Sequence, residues 1–102
     1  MGKYTIEYSE DSKQDLIEIR RYIKYNLQEP NIAKKLTDKI RKEIRKLSDN
    51  PEMYSIIDDE LINKLKIRRI IIDNYIVFYR VKDGSVEIVR IMYGKRNWMK
   101  LL

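Results

Sequence analysis

The sequence predicts a single α+β domain over residues 1–102, in the order β-α-α-β-β-β, with a helical hairpin packed on one face of a small antiparallel sheet. Three observations predict it. Apolar residues alternate in a short N-terminal stretch, recur at helical spacing through about residue 47, and return as β-branched and aromatic runs after residue 64. A chain of 102 residues has room for one core, and no linker or repeat divides it.

Tyr4, Ile6 and Tyr8 alternate with Lys3, Thr5 and Glu7, the pattern of a half-buried strand. Ser9 offers an N-cap, and Glu10 and Asp11 suit the positive end of the helix that follows. Leu16, Ile19, Ile23 and Leu27 form its apolar stripe, through about residue 28. Pro30 stops this helix and opens the next, whose stripe is Ile32, Ala33, Leu36, Ile40, Ile44 and Leu47. Asn50-Pro51 ends it. A first late strand is expected over 65–72, a turn at Asp73-Asn74, and a central strand over 75–81. The Asp83-Gly84 hairpin signal leads into a last strand from Val86 to Tyr93. The tail, with Trp98, Met99 and two leucines, is apolar enough to pack back.

Charge is unevenly spread. Residues 1–60 carry 12 Lys/Arg against 13 Asp/Glu, whereas residues 61–102 carry 10 against 3. All the excess positive charge therefore lies in the last two-fifths of the chain, as expected for a polyanion site or an acidic partner. The N-terminal residues include a lysine and a tyrosine where a signal peptide needs an apolar run, and no stretch approaches the ~20 apolar residues of a membrane span. A cytoplasmic location without membrane association is expected, and the lack of cysteine suits it.

Without cysteine or histidine the chain cannot perform thiol catalysis, build a histidine-based triad or hold zinc on nitrogen and sulfur ligands. No metal site is expected, since the one dense acidic run, Asp58-Asp59-Glu60, reads as a solvated loop. The glycines form no phosphate-cradling motif. The basic sheet remains. Alternation places Lys64, Lys66 and Arg68 on one face of the first late strand, and Arg90, Met92, Gly94 and Arg96 on one face of the last if no bulge intervenes. On the central strand Tyr75, Val77, Tyr79 and Val81 are expected to meet the helices. Ile76, Phe78, Arg80 and Lys82 then look outward, where cations would meet phosphates and Phe78 would stack on a base. Arg90, set between Val89 and Ile91, has a structural reading as well, a support for the fold.

Tyr4-Thr5-Ile6-Glu7-Tyr8-Ser9, Asp15-Leu16-Ile17-Glu18-Ile19, Tyr22-Ile23, Asn74 to Val81 and Arg90 to Trp98 resemble, in this order, the motifs of the RelE/ParE family of toxins. The resemblance implies the toxin half of a toxin–antitoxin module, in a hetero-oligomer with a small antitoxin and with no cofactor. RelE-like members cut messenger RNA on the ribosome, and ParE-like members poison DNA gyrase. Asn63 to Arg68 resembles a RelE strand whose lysines contribute to cleavage, and Gly94-Lys95-Arg96 the segment whose arginine stabilises the scissile phosphate. Lys64, Lys66 and Arg96 are thus the catalytic candidates, with Arg68, Phe78, Arg80 and Arg90 as RNA- or target-binding candidates. Two positions depart from RelE: Ile76 replaces a central-strand arginine, and the terminal Leu101-Leu102 replaces a tyrosine.

Two readings follow. In a ribosome-dependent endoribonuclease, cations would stabilise the charge built as a 2′-hydroxyl attacks its phosphate, and Lys64 or Lys66 would take the proton. This is the reading the sequence leans toward. In a gyrase inhibitor the same chain needs only a docking surface. In both, an acidic antitoxin segment is expected over the basic sheet face, in a complex that loosens as salt rises.

Overall fold

A computed structural model describes residues 3–58 and 63–94 of the chain. β1 (Thr5–Tyr8) passes through Ser9 into α1 (Glu10–Arg21), which runs on into a π-helical turn (Tyr22–Asn26). α2 (Pro30–Arg45) follows, then β2 (Arg68–Ile72), β3 (Tyr75–Lys82) and β4 (Ser85–Tyr93). The expected β-α-α-β-β-β order is present.

Ser9 caps α1 as its sequence position suggests. Its side chain accepts the Ser12 N–H at 3.0 Å, and its hydroxyl donates to the Val89 carbonyl at 2.8 Å. Such a cap stabilises a helix by about 1 kcal/mol, and here it also joins the helix start to β4. Glu10 and Asp11 in the first turn and Arg20 and Arg21 in the last complement the helix dipole.

The apolar stripe of α1 ends earlier than expected. In the π-helical turn the Leu27 N–H reaches back five residues to the Tyr22 carbonyl, and the wider turn breaks the helical phase. Leu27 and, at the start of α2, Ile32 are consequently exposed. From Ala33 onward the α2 stripe is buried as expected, and Ile40, Ile44 and Leu47 are fully enclosed.

The sheet order is β1-β4-β3-β2. The three late strands form an antiparallel meander through turns at Asp73, with φ 53°, and Gly84, with φ 72°. Aspartate tolerates this left-handed region and glycine enters it without steric cost. β1 pairs in parallel with β4, from Thr5↔Ser85 to Tyr8↔Ile88, so the sheet is mixed rather than wholly antiparallel. A parallel pair needs a long crossover, and the hairpin and meander between Tyr8 and Ser85 provide one.

Two further differences bear on the site. β2 does not begin near Leu65, because Asn63–Leu65 form a 3₁₀ turn and Lys66 adopts a left-handed φ of 55°. Along β3 and β4, Phe78 faces Arg90 and Tyr79 faces Ile88, leaving Val89 as a bulge residue. The bulge resets the alternation of β4, so Ile88 and Ile91 both join the helix-facing core with Val77, Tyr79 and Val86.

Candidate functional site

Among the described residues, the basic sheet face expected from alternation is not assembled. Its centre is apolar: Ile76, Phe78 and Met92 on the outer face pack with Ile57 and Ile67 from the loop before β2. The backbone holds that loop in place, since the Ile57 N–H donates to the Ile67 carbonyl at 2.8 Å. Phe78 is fully buried and offers no ring to a base, which corrects its assignment as a stacking platform. Its cross-strand partners are Arg69 on β2 and Arg90 on β4, and the apolar cover comes from Ile57 and Ile67, a contact that alternation within one strand does not reveal.

The cations are dispersed. Lys64 and Lys66 are exposed on the turn before β2 and do not share a strand face with Arg68. Arg68 pairs across with Tyr79, on the helix-facing side, and its guanidinium donates to the Tyr54 carbonyl, with Glu52 3.9 Å away. Arg80 remains on the outer face but is tied to Glu87 at 2.6 Å, with Lys82 at 3.4 Å from the same carboxylate. Burial works to raise the Glu87 carboxyl. The hydrogen bond and charge of Arg80, joined by Lys82, outweigh it and hold the group below its ordinary range. Arg96 lies outside the described residues, as do Trp98 and the remaining tail.

Arg90 takes its structural reading. Its Nε and Nη2 donate to the two oxygens of Asp15 on α1, at 2.8 and 2.9 Å. The Ile91 N–H donates to the same carboxylate at 2.9 Å. β1 covers β4 only as far as Ile88, so Asp15 satisfies a backbone donor on the strand edge beyond it. The Asp15 hydrogen bond raises the Arg90 guanidinium further above its ordinary value. Sequence reasoning missed Asp15. The available signal was its phase, because Ser12 and Asp15 continue the apolar stripe of Leu16, Ile19 and Ile23 with polar residues, and both are buried.

A separate concavity lies among the helices. A groove of about 930 Å³ runs between α1, the π-helical turn, α2 and the Asn74/Tyr93 end of the sheet. Ile23, Leu36 and Ile91 line it from the core, and Tyr22, Leu27 and Ile32 stand exposed along it. Tyr75 and Tyr93 close one end in an edge-to-face pair 5.7 Å apart. Burial, reinforced by Tyr93 and Tyr22, raises the Tyr75 phenol. Buried Asp15 also lines it, and the exposed charges are Glu18, Lys35 and the pair Lys39 and Asp73, bonded at 2.7 Å. The groove follows from the π-helical turn, which turns Leu27 away from the core. No helix among the described residues is long and apolar enough to cross a membrane.

Comparison with known proteins places these features in context. The family model described as the ParE toxin of the type II toxin–antitoxin system parDE matches residues 6–98. No curated protein matches the chain. Among solved structures, the chain is similar to one from the chromosomal ParDE toxin–antitoxin system of P. aeruginosa. The TM-score is 0.74 at 18% identity, covering 89% of this chain and 96% of that one. It is also similar to a chain of the RelBE2 toxin–antitoxin complex of Mycobacterium tuberculosis. There the TM-score is 0.61 at 20% identity, covering 91% and 93%. At these identities the structural likeness concerns the fold.

Proposed function

Because the chain belongs to the ParE toxin family of type II toxin–antitoxin systems, we propose that it inhibits growth by docking on DNA gyrase, without cutting RNA, and that an antitoxin blocks it. One observation carries the choice between targets. Among the described residues, the cations expected to bind RNA do not converge, with Arg90 locked to Asp15, Arg80 to Glu87 and Arg68 turned to the helix-facing side. A phosphate-cleaving site needs donors converging within hydrogen-bond reach of one reacting oxygen. A docking toxin needs only a shaped surface.

The antitoxin is the proposed occupant of the apolar groove. A cleft lined by exposed Tyr22, Leu27 and Ile32 suits the apolar face of an amphipathic helical or extended segment. The groove, rather than the sheet face, offers this contiguous apolar surface. The likeness to chains of two toxin–antitoxin complexes supports a partner of this kind.

The ribosome-dependent nuclease is the second reading, with Lys64, Lys66 and Arg96 as its catalytic residues. It is favoured by one observation: Lys66 is exposed in a left-handed conformation that costs roughly 1–2 kcal/mol, and such strain gathers at functional sites. Pulse labelling after induction of this chain alone in a bacterium separates the two. Replication arrest with DNA breaks is the expected result. An immediate stop in translation with DNA synthesis intact would replace docking by mRNA cleavage.

A further inference from the structure

On the β1 side of the hairpin, away from the apolar groove, α1 and α2 enclose a shallow cleft of about 260 Å³. Lys13, Ile17 and Arg20 line it from α1, at spacings of four and three, and Thr37 and Arg41 from α2, with Arg45 one turn further on. Its floor is the buried pair Leu16 and Thr37. Tyr8, at the end of β1, forms one wall, and its phenol is raised by burial against the opposing pull of Arg41 and Arg45. Both guanidinium groups therefore project into the field of the same hydroxyl.

The charges of this cleft are not neutralised by their surroundings. Lys13 meets only Glu10, at 3.2 Å and in solvent, while Arg20, Arg41 and Arg45 enter no salt bridge among the described residues. Elsewhere the chain pairs the arginines of its sheet, as Asp15 does for Arg90 and Glu87 for Arg80. Arg20 and Arg41 line the concavity and Arg45 lies one turn beyond Arg41, and each guanidinium presents a donor fork matched to phosphate oxygens. The aromatic residue of the cleft lining, Tyr8, is half-buried in its wall rather than standing free to stack on a base. Single-stranded nucleic acid is held by cations combined with stacking rings, whereas duplex backbones are held by cations alone.

We propose that the cleft between α1 and α2, with Lys13, Arg20, Arg41 and Arg45 at its margins, is a docking surface for the phosphate backbone of double-stranded DNA. Binding there is independent of sequence and does not require gyrase, so it stands or falls separately from the target assigned above. The surface lies on the opposite side of the hairpin from the apolar groove, so a groove-bound partner leaves it accessible.

The test is fluorescence anisotropy of a labelled 20-base-pair DNA duplex titrated with the full chain, across a series of salt concentrations. Each phosphate neutralised adds about −0.9 to the slope of log affinity against log salt. The triple variant Arg20→Ala, Arg41→Ala, Arg45→Ala is expected to flatten that slope by about 2.7 and weaken binding at least roughly tenfold at low salt. All three side chains are exposed, and circular dichroism with thermal melting of the variant confirms that the fold is retained. A matched variant, Arg21→Ala, Lys34→Ala, Lys42→Ala, removes as much charge outside the cleft and is expected to bind nearly as the native chain. Equal weakening in both variants would overturn the proposal, because the binding would then follow net charge alone. Tighter binding of an RNA duplex or of a single strand than of the DNA duplex would overturn it as well.

Discussion

Asp15 and Arg90, 75 residues apart in sequence, meet through two parallel N–H···O bonds of 2.8 and 2.9 Å between α1 and the bulged part of β4. The Asp15 side chain is 8% exposed and that of Arg90 20%. Removing either partner strands the other charge in a largely dry site. We expect Arg90→Ala to cost about 3 kcal/mol in urea unfolding. Asp15→Ala should cost more, because the Ile91 N–H loses its acceptor too. Equal costs would mean that the backbone bond contributes nothing.

The Tyr79 phenol lies in the core, donating to the Pro51 carbonyl at 2.8 Å, and burial pushes it up to about 12, against the pull of the Arg68 guanidinium. The unfolded phenol loses its proton near its ordinary value of 10.0. Between pH 10 and 12 the unfolded state therefore binds fewer protons than the folded state, and stability falls as pH rises. Tyr79→Phe should flatten this decline, while costing about 1 kcal/mol at neutral pH through the lost hydrogen bond. Unfolding curves of both forms at pH 8 and 11 check it.

Lys66 holds a left-handed φ of 55° without the freedom of glycine. Lys66→Gly should raise stability by about 0.5–1 kcal/mol, whereas Lys66→Ala should not. The pair also bears on function. If Lys66→Gly is more stable and equally toxic, the lysine is dispensable for both fold and action.

Ile40 and Ile44 are fully enclosed between α2 and the sheet, while Ile71 on the outer face of β2 is 65% exposed. Ile44→Ala is expected to cost about 2–5 kcal/mol and Ile71→Ala less than about 0.5 kcal/mol, measured by chemical denaturation. Comparable values would place the core on the wrong side of the sheet.

Antitoxin binding through the groove should depend only weakly on salt, because its exposed hydrophobic side chains supply the contact, while Lys39 already pairs with Asp73 and Asp15 with Arg90. Tyr22→Ala with Ile32→Ala should raise the dissociation constant at least roughly tenfold, since each removes exposed apolar area that docking would bury. Isothermal titration at two salt concentrations measures both. A steep salt dependence would return the antitoxin to a charged surface.

The sequence by itself determined the element order, the family, the cap at Ser9 and the buried stripe from Ala33 to Leu47. These depend on local periodicity and on capping chemistry, which act between residues a few positions apart. The tertiary structure alone decided where the cations point. Arg90 and Met92 keep the shared register that alternation gives them, opposite Phe78 and Ile76, yet the Arg90 guanidinium is claimed by Asp15 on α1. Composition and alternation place Lys64 and Lys66 on a strand, but a strand persists only where a neighbour accepts its hydrogen bonds, and β3 pairs with β2 from Arg68 onward. The parallel edge of β1, the groove opened by the π-helical turn and the carboxylate of Asp15 closing the edge of β4 all join residues remote in sequence. Their geometry is set by packing between elements, a relation that the spacing of residues along one strand or helix does not contain.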